Sequence, residues 1–287
     1  MLIVVAHDAG GAHILASLIE RKELPATLVL EGPAKEVFAE RLGTPPVTSS
    51  LGEAVAKSAL LVTGSGWQSD LEWRAIRLGR ALGIRTITFL DHWVNYRSRF
   101  SRNGIEVLPN EIWVGDDFAM QLAQKEFPEQ VKIVLEPNPY FLDLQAKRAS
   151  FSHDLDGPVL RILYTREPVE RTQGFRESDA FNYFLSNLDL FGAKPKQITI
   201  RPHPSAVDTG WSPTHSTQYK IHLGGNKPIA DEILEHDVVV GCHTMALAVA
   251  SLLGRLAISA IPPGHGLCSI PIEGIQMLSQ MSGSRFC

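Results

Sequence analysis

The chain has 287 residues, of which 44% are hydrophobic and 20% charged, and its formal net charge at pH 7 is −4. This length allows one large or two ordinary domains, each able to bury a core of its own. A net negative charge argues against non-specific nucleic-acid binding, which needs a broad basic surface.

Other bulk features indicate a cytoplasmic protein. Apolar runs end well before the roughly 20 residues needed to cross a bilayer, and Met1 leads directly into a core-like strand without a basic segment. Cys242, Cys268 and Cys287 lack CxxC spacing, which favours a reducing compartment over a disulfide framework or a structural zinc site. We expect no transmembrane segment, and peripheral contact with the inner face of the membrane stays open.

The N-terminus is predicted to form a strand, a glycine-rich turn and a helix. Residues 2–6 are apolar, His7-Asp8-Ala9-Gly10-Gly11 follows, and residues 14–21 are amphipathic. Paired glycines let a backbone approach a ligand, and Asp8 stands at the carboxyl end of the strand, where open α/β sheets place their sites. The GxGxxG spacing of dinucleotide-binding turns is absent. Asp8 is also a suitable helix N-cap, and that alternative stays open.

The alternation of strands and helices continues through the first half, which predicts a parallel sheet covered on both faces. The predicted strands are 26–30, 60–63, 86–90, 111–114 and 132–135, and the predicted helices are 34–42, 70–82 and 118–127.

Three strand ends in this half carry polar residues that are expected to converge, because the carboxyl ends of parallel strands share one edge. These residues are His7 and Asp8, then Ser65 between two glycines, then Asp91 and His92 with Tyr96, Arg97, Arg99 and Arg102 downstream. The alternative is a structural Asp–His hydrogen bond beside a solvated basic loop.

Periodicity fades between residues 140 and 158, where we place a domain boundary. The predicted organisation is an N-terminal Rossmann-like domain at 1–142, a polar linker at 143–157 and a C-terminal Rossmann-like domain at 158–287. The predicted strands of the second half are 160–164, 197–201, 219–222, 238–240 and 256–261, and its predicted helices are 178–190, 228–234 and 245–253.

The strand ends of the second half suit an anion such as a nucleotide phosphate. Guanidinium and imidazole groups beside the N–H dipoles of a helix start are typical of phosphate sites, and prolines on both sides of His203 restrict its backbone. The candidate phosphate-binding residues are Arg166 next to Glu167, Arg201, His203, Pro204, Cys242, His243, Thr244 and Met245. The alternative is an ordinary βαβ unit that binds nothing.

The second half resembles a known enzyme family. RPHPS at 201–205, the strand–turn–helix GCHTMALAVASLLG and the following SAIPP are similar to the C-terminal half of bacterial GT-B glycosyltransferases. The likeness is greatest to sialyltransferase- and polysialyltransferase-type enzymes, and related His-Pro stretches occur in capsule and wall-polymer transferases. The resemblance implies that His203 and Pro204 form the His-Pro motif, and that Thr244 with Ser259 supplies its hydroxyl motif.

The resemblance implies two Rossmann-like doubly wound domains facing a central cleft, and an inverting, metal-independent transferase. The donor would be a nucleotide-activated sugar, with a CMP-linked sugar as the family's candidate, and the acceptor a glycan or lipid-linked hydroxyl in bacterial surface polysaccharide synthesis. Asp8 alone matches the family's acidic-acidic-glycine motif and is the first choice of general base, with Asp91 or His92 second. His7, Gly10, Gly11, Ser65, Tyr96 and Arg97 are the acceptor-side candidates.

No metal-ligand spacing is present, so no metal or further cofactor is expected. Two other functions stay open. One is a nucleotide-sugar epimerase or hydrolase on the same fold, and the other is a non-catalytic two-domain ligand-binding protein.

Overall fold

The computed structural model of the chain describes residues 1–43, 50–66, 68–150, 157–169, 174–203 and 219–281. The chain divides into two compact units, Met1–Asp143 and Leu144–Cys287. Each unit contains a six-stranded sheet in which all pairs of neighbouring strands are parallel.

The sheet of unit 1 begins with the first strand of the chain, which pairs on both sides. Its strands are β1 (Leu2–Ala6), β2 (Ala26–Leu30), β3 (Leu60–Thr63), β4 (Arg85–Phe89), β7 (Glu111–Val114) and β8 (Lys132–Leu135), with the two-residue strands β5 (Ser101–Arg102) and β6 (Ile105–Glu106) forming a separate antiparallel hairpin. The spatial order is β2-β1-β3-β4-β7-β8. Four of the five residues of β1 are buried, as expected for a strand covered on both faces.

Helices cover the sheet of unit 1 through their apolar sides. They are α1 (Ala9–Arg21), α2 (Ala34–Leu42), α3 (Leu51–Ala56), α4 (Leu71–Ala81) and α5 (Asp117–Glu126). One core cluster joins α1 and α2 to β1, with Leu15 and Phe38 fully buried in it, and a second cluster joins α3 and α4 to Ile3 and Leu61. The helix α6 (Pro139–Ser150) contains the residue at which the units divide.

Unit 2 repeats the same organisation around β9. Its strands are β9 (Leu160–Thr165), β10 (Lys196–Arg201), β11 (Lys220–Leu223), β12 (Val238–Gly241), β13 (Leu256–Ser259) and β14 (Ile275–Met277), and its helices are α7 (Glu177–Ser186), α8 (Ile229–Leu234) and α9 (Met245–Leu252). The spatial order is β11-β10-β9-β12-β13-β14. Its main core contains Tyr164, Phe184, Phe191, Ile198 and Val240. Tyr164 stacks on Phe184, and Phe184 meets Phe191 edge to face.

The predicted strands and helices of both halves are present, with ends that match the prediction or differ from it by one to five residues. The prediction at the N-terminus was wrong in one respect, since Gly10 and Gly11 lie in the first turn of α1 rather than in a turn before it. The helix α3, the hairpin and β14 were not predicted. The predicted linker at 143–157 begins inside α6, and its residues 151–156 lie outside the described part of the chain.

Among the residues described, none of the helices combines the length and the apolar character that crossing a membrane requires.

Candidate functional site

His7 and Asp8 form a hydrogen-bonded pair where β1 ends. The imidazole Nδ1 of His7 lies 2.6 Å from Oδ1 of Asp8. A carboxylate only accepts hydrogen bonds, so this ring nitrogen carries the proton. Asp8 occupies the N-cap position of α1 but makes no side-chain capping bond there. Its carboxylate is thus turned toward His7, and capping does not explain its presence.

A third residue, the acidic Glu72, supports this pair from the first turn of α4. The side chain is 3% exposed, and its Oε1 accepts the backbone N–H of His7 at 2.8 Å. Burial raises the pKa of Glu72 to about 7, the hydrogen bond from the His7 backbone opposes this, and the charge on Asp8 adds to the increase. Glu72 therefore changes its charge near neutral pH.

Asp91 is held where β4 ends by residues of neighbouring segments. The hydroxyl of Ser65 donates to Asp91 Oδ1 at 2.6 Å, and Nη1 of Arg99 lies 3.1 Å from the same oxygen. Arg99 also donates to the backbone carbonyl of Ser65 at 2.8 Å. Two donors on one oxygen therefore fix the orientation of this carboxylate.

The first turn of α1 approaches these strand ends closely because it contains glycines. A Cβ on Gly10 would overlap Oδ2 of Asp91, and a Cβ on Gly11 would lie 3.0 Å from the backbone Cα of Gly64. The glycines therefore permit helix packing against the edge where His7, Asp8 and Asp91 lie. The strand-end residues predicted to converge in unit 1 do so around this turn.

Three other residues predicted for this half make contacts of a different kind. Tyr96 is 2% exposed, and burial raises its pKa, so it belongs to the interior beside Phe127 rather than to an acceptor surface. Arg97 is exposed and makes a bidentate ion pair with Glu106. The ring of His92 accepts the backbone N–H of Trp93 at 2.9 Å through Nδ1.

In unit 2, the start of α9 is bonded to a carboxylate of the protein itself. Oε2 of Glu167 accepts the backbone N–H of His243 at 2.8 Å, and the backbone N–H groups of Cys242 and Thr244 also favour its charged form. Burial nevertheless raises the pKa of Glu167 to about 7. The backbone donors predicted to bind a phosphate are therefore already engaged, so a ligand anion would have to displace Glu167.

Arg166 and His203 lie near a second glutamate. Arg166 makes a bidentate pair with Glu177, at 2.7 and 2.8 Å. Burial lowers the pKa of His203, although the charge of Glu177 acts in the opposite direction, so the ring is neutral at pH 7 and offers a hydrogen bond rather than a positive charge. Pro204, the other half of the His-Pro motif, lies outside the described residues.

Arg201 is engaged in a different interaction from the one predicted. Its guanidinium pairs with the buried carboxylate of Glu232 and donates to the backbone carbonyl of Lys227 at 2.8 Å. The other oxygen of Glu232 accepts the backbone N–H of Gly225 at 2.8 Å. Arg201 thus joins the loop after β11 to α8, which is a structural role.

The residues at the start of α9 have mixed roles. Thr244 is the N-cap, and its hydroxyl accepts the backbone N–H of Ala246 at 3.2 Å. The hydroxyl of Ser259 donates to the carbonyl of Cys242 at 2.8 Å. The ring of His243, 9% exposed, accepts the N–H of Ser269 through Nδ1 at 3.3 Å. Met245 begins the helix.

His243 Nε2 has no hydrogen-bond partner within the described part of the chain. Burial lowers the pKa of His243, so the ring is neutral and, with Nδ1 accepting, Nε2 carries its proton. A buried N–H without an acceptor is costly. This nitrogen is therefore a donor that a ligand oxygen would satisfy.

No group of three or more His, Cys, Asp or Glu side chains suited to a metal ion occurs in the described residues.

Side chains of these clusters that were not among the predicted site residues include Glu72, Arg99 and Glu167. The sequence indicates Arg99 only as part of a basic loop, and Glu167 only as the neighbour of Arg166. Glu72 resembled an ordinary acidic residue in the first turn of a helix, and its apolar neighbours in the sequence, Leu71 and Trp73, were the available sign that its side chain is buried.

No protein-family model matches the chain, and no curated protein does either. Solved structures match it at low sequence identity. The glycotransferase of kitacinnamycin has 10% identity and a TM-score of 0.54, with 99% of this chain and 88% of that one covered. UDP-GlcNAc 2-epimerase of Methanocaldococcus jannaschii, in complex with UDP-GlcNAc and UDP, has 11% identity and a TM-score of 0.57, with 96% and 88% covered. S. aureus MnaA with UDP has 11% identity and a TM-score of 0.61, with 90% and 78% covered. At these identities the likeness concerns the fold, and the two parallel-sheet α/β units are those of the GT-B fold.

Proposed function

We propose that the protein is an inverting glycosyltransferase that moves a sugar from a nucleotide-activated donor to a hydroxyl acceptor. The observation that carries this proposal is the His7–Asp8 pair, a carboxylate oriented by an imidazole at the carboxyl edge of a parallel sheet. The GT-B fold supports it, because two of the matched structures contain UDP or UDP-GlcNAc.

In this reaction unit 1 supplies the base. Asp8 takes the proton of the acceptor hydroxyl as the hydroxyl oxygen attacks the anomeric carbon, and the bond from His7 holds the carboxylate in position. General-base assistance of this kind is worth roughly 10² to 10⁴ in rate. Asp91 is the second candidate, but Ser65 and Arg99 engage its Oδ1.

Unit 2 binds the donor. We assign the donor phosphates to the region of Arg166, His203 and His243, where neutral imidazoles donate hydrogen bonds to the phosphate that leaves with the nucleotide. The resemblance in sequence favours CMP, whereas the matched structures contain UDP. The proposed reaction uses no metal. It belongs to the synthesis of a bacterial surface polysaccharide and takes place on the cytoplasmic side of the membrane.

Donor binding is tested by thermal unfolding with CMP, CDP, UDP and GDP. A ligand that binds only the native state at about 100 times its Kd stabilises it by about 2.7 kcal/mol. We expect one nucleotide to raise Tm, His203→Ala to remove most of that increase, and the exposed control His222→Ala to retain it. An equal increase in His203→Ala would refute the phosphate role of His203.

The base is tested by Asp8→Asn, which keeps the shape but cannot accept a proton. We expect kcat to fall roughly 10² to 10⁴-fold with little change in the Kd of the donor. Asp117→Asn, at an exposed position in the first turn of α5, serves as the control. Wild-type turnover in Asp8→Asn would exclude Asp8 as the base.

A second candidate function is a nucleotide-sugar epimerase or hydrolase, favoured by the epimerase among the matched structures. Such an enzyme consumes donor in buffer without acceptor, whereas a transferase needs the acceptor for full turnover. Saturable nucleotide binding with no turnover in either condition would instead identify a ligand-binding protein.

A further inference from the structure

Glu72 lies next to the His7–Asp8 pair and is buried, unlike a residue on the solvent-facing side of a helix. It belongs to the first turn of α4, yet its side chain is 3% exposed. One oxygen accepts the backbone N–H of His7 at 2.8 Å. The other, Oε2, is buried and has no hydrogen-bond partner in the described residues.

Gly66 allows the carboxyl groups of Glu72 and Asp8 to approach each other. A Cβ on Gly66 would lie 2.7 Å from Oε1 of Glu72 and 3.0 Å from Cγ of Asp8. Atoms of both carboxyl groups therefore lie within 3.0 Å of the same point beside Gly66. Where water is excluded, two charged carboxylates this close repel each other strongly. The arrangement is therefore stable when one of them holds a proton.

We propose that Glu72 is a positioning residue for the His7–Asp8 pair, with one oxygen fixing the main chain of His7 and the other holding the proton that leaves Asp8 free to act as a base. The catalytic part of this inference rests on the proposed function. The structural part, that Glu72 fixes His7 and is protonated, does not.

The charges around Glu72 are consistent with this role. Burial raises its pKa to about 7, and the groups whose charges act on it are Asp8, which raises the pKa, and His7, which lowers it. As pH rises through 7, Glu72 becomes negatively charged. Its buried Oε2 has no hydrogen-bond donor among the described residues to stabilise this charge, so the segment around it is destabilised. We expect His7 and Asp8 to lose their fixed position in the same pH range.

Two substitutions separate the two parts of the role. Glu72→Gln keeps an oxygen that can accept the His7 N–H but is neutral at every pH. Glu72→Leu removes the acceptor as well. Glu36→Gln, an exposed glutamate in the first turn of α2, is the matched control.

The structural measurements need no substrate. Hydrogen exchange of the His7 amide should remain slow in Glu72→Gln and become about tenfold faster or more in Glu72→Leu. In protein with carboxyl-labelled glutamate, two carbon signals should titrate near pH 7, because burial raises the pKa of both Glu72 and Glu167 to about 7. Both signals should be present in the wild type and in Glu36→Gln, and one of them should be missing in Glu72→Gln. A His7 amide that stays equally protected in Glu72→Leu, or the presence of both signals in Glu72→Gln, overturns the inference. If Glu72→Leu does not fold, the titration of Glu72→Gln decides alone.

The kinetic measurement uses any sugar donor that the wild type turns over. Wild-type kcat should fall by about tenfold from about pH 6 to about pH 8, following the protonated fraction of a group with pKa near 7. The ratio of the two rates should stay close to one in Glu72→Gln, and Glu36→Gln should show the wild-type ratio. A wild-type decline in Glu72→Gln would refute the proton-holding role. If the wild type turns over no donor, the proposed function fails, and exchange and titration still decide the role of Glu72.

Discussion

At the scale of single residues, composition and position along a strand located the polar side chains, but burial determines their chemistry. His7, Asp8, Ser65 and Asp91 were predicted to meet because parallel strands end at one edge, and they do. No rule based on the sequence could show that Glu167 bonds the start of α9, or that Arg201 pairs with Glu232, because both depend on competition among side chains brought together by the fold.

His13 provides a test of burial at this scale. Its ring stacks on Tyr140 at 4.6 Å between centroids, and burial, with a smaller contribution from the charge of Arg41, lowers its pKa to about 4. As pH decreases, His13 therefore binds a proton near pH 6.5 in the unfolded chain but only near about pH 4 in the folded chain. The free energy of unfolding consequently falls as pH decreases through this window.

We expect His13→Phe, which keeps an aromatic ring for the stack, to remove this dependence. Between about pH 7 and about pH 5 the wild type should lose roughly 1–2 kcal/mol more unfolding free energy than the variant. Urea unfolding at both pH values measures the difference, and His222→Ala controls for an exposed histidine. Parallel losses in wild type and His13→Phe would contradict the burial of His13.

At the scale of elements, the apolar periodicity was sufficient for the strands and for the longer helices. The short α3 and the three-residue β14 were missed because few residues carry each pattern. The start of α1 was misplaced for a different reason. Glycine is a poor helix former, so Gly10 and Gly11 indicated a turn, whereas in the structure their lack of a side chain is what lets the helix begin against Asp91 and Gly64.

Gly10→Ala and Gly52→Ala should have opposite effects. Alanine in a helix interior is favoured over glycine by roughly 0.5–1 kcal/mol, and a Cβ on Gly52 in α3 would meet nothing within 4 Å. We expect Gly52→Ala to be stabilising by about this amount and Gly10→Ala to be destabilising by roughly 1–3 kcal/mol, because Asp91 must move. Chemical denaturation of both variants measures this, and equal stabilisation would disprove the close approach of Gly10.

At the scale of the whole molecule, the alternation of strands and helices predicted two parallel-sheet α/β units, and the structure confirms that class. The boundary was harder to predict, because a polar helix such as α6 has a composition similar to that of a linker. Among the described residues, four hydrophobic clusters each draw their buried residues from a single unit.

Because these clusters belong to different units, a core substitution in one unit is expected to lower the opening free energies of that unit's strands. Phe38 is fully buried in the core of unit 1, and Phe184 in that of unit 2. We expect Phe38→Ala to lower the opening free energies of β1 and β3 amides by about 3–5 kcal/mol, with β9 and β12 nearly unchanged, and Phe184→Ala to do the reverse. Native-state hydrogen exchange reads both units at once. Equal losses in both units from either substitution would show a shared core.

The strand order of the two sheets also has a consequence for synthesis on the ribosome. β1 and β9 are the first strands of their sheets to be made, and each pairs on both sides, whereas β8 and β14, the last, are edges. Because domains generally fold as units and N-terminal first, each sheet can grow outward from a strand that is already present. A nascent chain halted within unit 2 before β14 would lack only an edge strand, with the remaining strand pairs still available to form.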